Sequence, residues 1–276
     1  MIITKTPFRI TLGGGGTDIP TYYKKHGGFL ISAAINKYMF ISVNKRYDND
    51  IRVSYSKTEI VSNVNELEHP IVREALKFLK INSGIEIASI ADLPAKSGLG
   101  SSGTFTVGLL NALHTYQGNR RSPKELAEEA FYIESELLQE PCGKQDQYIA
   151  AFGGIIRMEI DQNGIVDVEE DLLNNCLVEK LVSNLMFFST DIYRSSSKVL
   201  SDQKKAVKNN KRNVLYSMQR IKEIGIQCYD SFKKSDIDYF GKSLDLHWNI
   251  KKNISGNMTN NRINDLYNLA LDNGAI

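Results

Sequence analysis

Pro94-Ala95-Lys96-Ser97-Gly98-Leu99-Gly100-Ser101-Ser102-Gly103 lies between a stretch that reads as a strand, over 85–90, and one that reads as a helix, over 102–116. Glycines at 98, 100 and 103 let the backbone approach a ligand closely and take positive φ. The N–H groups at the start of a helix have no intrahelical acceptors, and the positive end of the dipole favours an anion in front of them. Hydroxyls on Ser101 and Ser102 can contact phosphate oxygens or a metal ion. By its physics the loop cradles phosphate. It is not a P-loop, because Lys96 precedes the glycines, and it is not a Gly-x-Gly-x-x-Gly dinucleotide turn in the usual setting. Taken alone, a Gly/Ser loop also reads as a structural turn.

Upstream, the first ninety residues are β-rich. Strands are predicted over 29–35, 39–43 and 51–55 as well as 85–90, from β-branched and aromatic residues broken by Gly, Asn and Asp turns. A helix is predicted over 70–80, where Ile71, Ala75, Phe78 and Leu79 share a face. Downstream, Ser122 is an N-cap, Pro123 takes the first helical position and Glu125 completes a capping box. That helix carries Leu126, Ala130, Ile133 and Leu137 on one side, with Glu134 near its end and facing a loop. Strands follow over 155–160 and 165–168, with a turn over 161–164, and a further strand over 185–189. Beyond Thr190 the pattern is helical, with one stripe of Leu215, Met218, Ile221 and Ile224/Cys228 and another of Ile237, Phe240, Leu244 and Trp248. The change of character places a domain boundary near 165–185, giving domains 1–175 and 176–276.

With 276 residues the chain has room for one large domain or two intimately packed ones. At 42% hydrophobic and 24% charged residues it is expected to be soluble and folded, not disordered. A net charge of +2 gives no global field for nucleic acid or membranes, so anionic ligands would need local basic sites. The basic stretch over 204–212 reads as a solvated helix face. Cys142, Cys176 and Cys228 are odd in number and far apart, which argues for free thiols in a reducing cytoplasm. No apolar run approaches the roughly 20 residues that span a bilayer, and the first nine residues lack a secretory core. The expected location is cytoplasmic. A homodimer is compatible with the sequence, though nothing in it fixes the oligomeric state. His26, His69, His114 and His247 show no metal or triad spacing.

Three segments carry a resemblance. The Gly/Ser loop at 94–103 is similar to the second motif of the GHMP kinases. Pro7-Phe8-Arg9-Ile10-Thr11-Leu12-Gly13-Gly14-Gly15-Gly16-Thr17-Asp18 resembles their first motif, as found in galactokinases and heptose kinases. Cys142-Gly143-Lys144-Gln145-Asp146-Gln147 resembles the galactokinase segment that carries the catalytic aspartate. The match runs from Thr6 to Ile276. It implies an α/β fold of two α+β domains: an N-terminal mixed-sheet domain with the phosphate loop and a C-terminal ferredoxin-like domain, ATP and substrate lying between the halves. The family's third motif, a Gly/Ala-rich loop, is expected after the segment at 270–275, so the C-terminal domain reads as truncated before it.

The resemblance further implies an ATP-dependent kinase using Mg2+. Lys96, Ser97, Gly98, Leu99, Gly100, Ser101, Ser102 and Gly103 would hold ATP, and Ser102 with Glu134, twelve positions before Asp146, would hold the metal. Asp146 would be the general base, with a turn or N-cap Asp as the bland alternative. Arg9 would orient Asp146 and stabilise charge on the transferring phosphoryl group. Gly14, Gly15, Thr17 and Asp18 would meet the sugar. Arg194, Ser195 and Ser196 would grip a phosphate already on it, or simply cap a helix. The Gly-Gly-Gly-Gly-Thr-Asp and Gly-Lys-Gln-Asp-Gln forms look most like the heptose phosphate kinases, which implies phosphorylation of an anomeric hydroxyl on a sugar phosphate. A fucokinase- or galactokinase-like enzyme and a non-catalytic sensor are the alternatives.

Overall fold

The computed structural model describes residues 1–95, 97–190, 212–252, 254 and 259–276. Lys96, Arg194, Ser195, Ser196 and the basic stretch over 204–211 lie outside the described residues. Packing groups the chain into two compact units. The first joins Met1–Ile10 to Ala34–Gly153, and the second joins Thr11–Ala33 to Gly154–Ile276. Among the described residues no helix is long and apolar enough to cross a membrane.

The sheet of the first unit is mixed. β2 (Gly28–Lys45) pairs antiparallel with β5 (Ile85–Ala91), in register from Met39 opposite Ala91 to Lys45 opposite Ile85. β5 pairs parallel with β3 (Ile51–Ser54), and β3 turns back into β4 (Thr58–Val61). β1 (Ile2–Gly13) also pairs with β2. Period-2 alternation decides the inner face: Met39, Ile41 and Val43 of β2 and Ile85 and Ile87 of β5 are buried. The predicted strands at 29–35 and 39–43 form one element, since no turn residue strong enough to break it lies between them.

Helices cover that face. α2 (Pro70–Phe78) is capped by His69, whose Nδ1 accepts the Val72 N–H. α3 (Ser101–Tyr116) is buried almost all round, from Gly103 to Leu110 and again from Ala112 to His114. Small residues bring it onto β1. A Cβ at Gly108 would stand 2.7 Å from Thr6 Oγ1, and Thr4 Oγ1 donates to the Gly108 carbonyl. α4 (Pro123–Tyr132) starts with the expected capping box, and α5 (Gln145–Phe152) packs against both α3 and α4.

In the second unit, β6 (Ile155–Ile160) pairs with the first part of β2, and β7 (Val166–Glu169) pairs with β6. Asp161 builds the turn between them by accepting N–H bonds from Asn163 and Ile165. α6 (Asn175–Ser183), α7 (Arg212–Lys233), α8 (Ile237–Lys251) and α9 (Asn261–Asp272) follow. Both predicted apolar stripes are used: Met218, Ile221, Ile224 and Cys228 of α7 are buried, as are Ile237 and Phe240 of α8. α7 covers α1 (Pro20–His26) through Val214, Met218, Ile221, Ile19 and Tyr22. The strand predicted over 185–189 is not formed. Residues 185–190 have no regular structure, and Met186, Phe187 and Phe188 are exposed; strand-forming side chains without a pairing strand among the described residues do not hold a ladder.

Leu109 is fully buried in the core of the first unit. Leu109→Ala is expected to destabilise the protein by about 2–5 kcal/mol, read as a lower urea midpoint. An unchanged midpoint would show that α3 is not central to that core.

Candidate active site

The glycine loop, Arg9, Glu134 and Asp146 all belong to the first unit, and four short pieces of chain bring them together. α3 begins directly after the loop. Its N-cap is Gly100 in the left-handed conformation, φ 83°, which offers no side chain to the helix start. The first N–H groups of α3 therefore lack a side-chain cap. Gly98 also has positive φ, and a Cβ there would meet nothing within 4 Å, so this side of the loop is open to a ligand.

The other two glycines serve the protein itself. A Cβ at Gly100 would stand 3.1 Å from Arg9 Cγ and 3.3 Å from Asp146 Cγ. One at Gly103 would stand 2.7 Å from Asp146 Cβ and 3.1 Å from its carbonyl carbon. Real Cβ atoms do not approach as closely as 2.7 Å, so the first turn of α5 seats on the loop only with glycine at 103; a side chain at 100, a positive-φ position, would need Arg9 and Asp146 to give by a few tenths of an ångström. Asp146 is in that first turn, where the helix dipole favours a carboxylate.

Arg9, on β1, reaches Asp146 with two nitrogens. Nε donates to Oδ1 at 2.7 Å and an Nη lies 2.6 Å from the same oxygen, while the other Nη donates to the Gly98 carbonyl at 2.9 Å. The Arg9 backbone N–H is bonded to the Leu99 carbonyl. One arginine thus fixes both the loop and the carboxylate. Both of its bonds to Asp146 fall on Oδ1, and among the described residues Oδ2 accepts none.

Glu134 was expected to face a loop; it is buried instead, 4% exposed. α4 runs into a π-helical turn, Ile133–Leu137, in which the Leu138 N–H reaches back to the Ile133 carbonyl. The inserted residue moves the apolar face on by one position. Leu138 packs on the core and Leu137, expected inside, is exposed. Such turns recur at functional sites. The Glu134 carboxylate accepts a bond from Ser102 Oγ at 2.8 Å on Oε2 and one from Gln147 Nε2 at 3.3 Å on Oε1. Burial pushes its pKa above the usual carboxylate range, and hydrogen bonds from Ser102, Thr106 and Gln147 oppose that shift without cancelling it. A buried carboxylate beside a hydroxyl, short of positive charge, is a donor set that fits Mg2+. That ion takes one or two protein oxygens and completes its shell with phosphates and water.

The sequence reading missed four residues here. Gln147 is 1% exposed and its Oε1 has no partner among the described residues. Lys144, the N-cap of α5, is buried and holds both oxygens of Glu128 at 2.6 and 2.8 Å, and Tyr148 donates to the same carboxylate. A lysine in a polar motif gives no signal of burial; the Glu128 carboxylate and the Phe131 ring, 5.0 Å from its Nζ, help make it tolerable.

The first glycine run belongs to the second unit. Thr17 is fully buried, its hydroxyl donating toward the Gly14 and Phe29 carbonyls and accepting the Phe29 N–H. Asp18 Oδ1 accepts the Gly16 N–H. A Cβ at Gly14 would stand 2.1 Å from the Phe29 carbonyl oxygen, and one at Gly225 of α7 would stand 2.9 Å from Gly14 Cα. The run therefore has a packing reason of its own, which the sequence reading had not supplied.

Because burial raises the folded-state pKa of Glu134, folding binds a proton there, and stability falls as pH rises from the unfolded carboxylate range toward the folded value. Glu134→Gln removes that loss. In chelator-treated protein, its melting temperature relative to the parent is expected to rise between pH 4 and 7. A constant or falling difference would mean that the carboxylate carries no such cost.

Residues 65–154 match the GHMP kinases N terminal domain, a span that holds the loop, Glu134 and Asp146. The chain is 32% identical to a D-glycero-alpha-D-manno-heptose 7-phosphate kinase from Campylobacter jejuni, over 99% of this chain and 84% of that protein. A D-glycero-D-manno-heptose 1-phosphate kinase from Bacteroides thetaiotaomicron superposes with a TM-score of 0.79 at 26% identity, covering 91% of this chain and 79% of that one. The galactokinase of Lactococcus lactis, at 17% identity, shares the fold with a TM-score of 0.70, covering 98% of this chain and 80% of that one. Motifs, geometry and near full-length similarity lead to one assignment: the chain belongs to the GHMP kinases, a family of phosphotransferases that use ATP as the phosphate donor.

Proposed function

We propose that this protein is a sugar kinase that transfers the γ-phosphoryl group of ATP to the anomeric hydroxyl of D-glycero-D-manno-heptose 7-phosphate. The observation that carries the chemistry is the Arg9–Asp146 pair seated against the open N-terminus of α3. The substrate rests on the 32% identical relative, whose name states a heptose 7-phosphate.

Phosphoryl transfer depends on positioning and on matching the charge that develops. The backbone N–H groups of Ser101, Ser102 and Gly103 would hold phosphate oxygens at the positive end of α3. Ser102 and Glu134 would hold Mg2+, which when bound supplies positive charge against the phosphates. Arg9 keeps Oδ1 of Asp146 fixed and leaves Oδ2 to accept the proton of the attacking hydroxyl. The sugar oxygen then bonds to the γ-phosphorus as the bond to the β-phosphate oxygen breaks, giving a heptose 1,7-bisphosphate and ADP. Asp18, with Gly14, Gly15 and Thr17, is assigned to the sugar. Arg194, Ser195 and Ser196 are assigned to its existing phosphate.

The test is ATP consumption with heptose 7-phosphate, fucose and galactose. Turnover is expected with the phosphorylated heptose; turnover with a neutral sugar alone would overturn the substrate. Asp146→Asn is expected to lower kcat about 10²–10⁴-fold and to leave binding of a non-hydrolysable ATP analogue nearly intact. A retained kcat would remove Asp146 from the proton transfer.

A further inference from the structure

Gln147 follows Asp146 in the first turn of α5, yet its side chain goes the other way. Asp146 meets Arg9, whereas the Gln147 amide Nε2 donates to Glu134 Oε1 at 3.3 Å. Ser102 takes the other carboxylate oxygen at 2.8 Å. A glutamine 1% exposed, with a buried Oε1 that has no partner among the described residues, costs stability unless something outside the protein completes it.

We infer that Gln147 is a positioning residue for the divalent cation: its amide N–H holds Oε1 of Glu134, directing Oε2 and the Ser102 hydroxyl at the ion, and its free Oε1 accepts from a water on that ion. The inference rests on the cation reading of Ser102 and Glu134 given above. Chemistry of this kind is ordinary around metal-binding carboxylates, which are themselves held by hydrogen bonds from a surrounding shell. It also explains why one helical turn carries both side chains. Asp146 and Gln147 are adjacent in the chain, so fixing α5 against the loop sets the base and the cation carboxylate together.

The test is Mn2+ binding, followed by electron paramagnetic resonance in the presence of a non-hydrolysable ATP analogue, for the parent, Gln147→Met, Gln147→Asn and Glu134→Gln. Gln147→Met keeps the size of the side chain and removes both amide functions. It is expected to weaken Mn2+ binding about tenfold or more. Should that variant fold poorly, Gln147→Asn, which keeps the amide but cannot reach Glu134, is expected to show the same loss. Parent-like Mn2+ affinity in a folded Gln147 variant, alongside a loss in Glu134→Gln, would overturn the inference and leave the cation site standing. Parent-like affinity in Glu134→Gln would overturn the cation reading, and this inference with it.

Discussion

The close seating of Asp146 on the start of α3 is the constraint from which the rest of the site follows. A Cβ at position 103 would sit 2.7 Å from Asp146 Cβ, well inside van der Waals contact. With glycine there, the first turn of α5 lies directly against the helix whose N-terminus is open. The same absence of a side chain at 100 admits Arg9, which ties β1, the loop carbonyl of Gly98 and the Asp146 carboxylate into one unit. The Gly/Ser motif is thus two devices in one stretch. Gly98 opens the loop outward, and Gly100 and Gly103 close it inward onto the base.

A site built this way carries costs that the surrounding fold offsets. Glu134 is desolvated, and among the described residues the donors beside it are neutral. The π turn that turns it inward gives up regular α-helical bonding. Lys144 is buried too, but with its charge met by Glu128 and with Tyr148 on the same carboxylate, so the base of α5 is clamped to α4. Glu128 is half-exposed, so solvent screens the pair on one side, yet its short bonds from Lys144 still support the turn that carries Asp146 and Gln147.

Much of the fold could be read from the sequence because local chemistry and global packing agree. The Ser122–Glu125 capping box, the alternation in β5 and the apolar stripe on α7 each appear where the pattern put them. The misses share a cause. Helical periodicity assumes a fixed step, so the inserted residue at 133–137 hid the burial of Glu134 and exposed Leu137. Strand propensity at 185–189 says nothing of whether a partner strand is present. Motif reading gave the glycines to a ligand and left out their packing, in which Gly14, Gly100 and Gly103 each face another part of the chain. Close backbone approach between distant segments leaves no mark in a sequence beyond the glycine itself.

The missing side chain at 103 sets the position of the base. Steady-state kinetics of Gly103→Ala test it directly. A single methyl group must push α5 away from α3, and a displacement of about 1 Å is expected to lower kcat about a hundredfold while circular dichroism stays that of the parent. A kcat within twofold of the parent in a folded Gly103→Ala protein would contradict it.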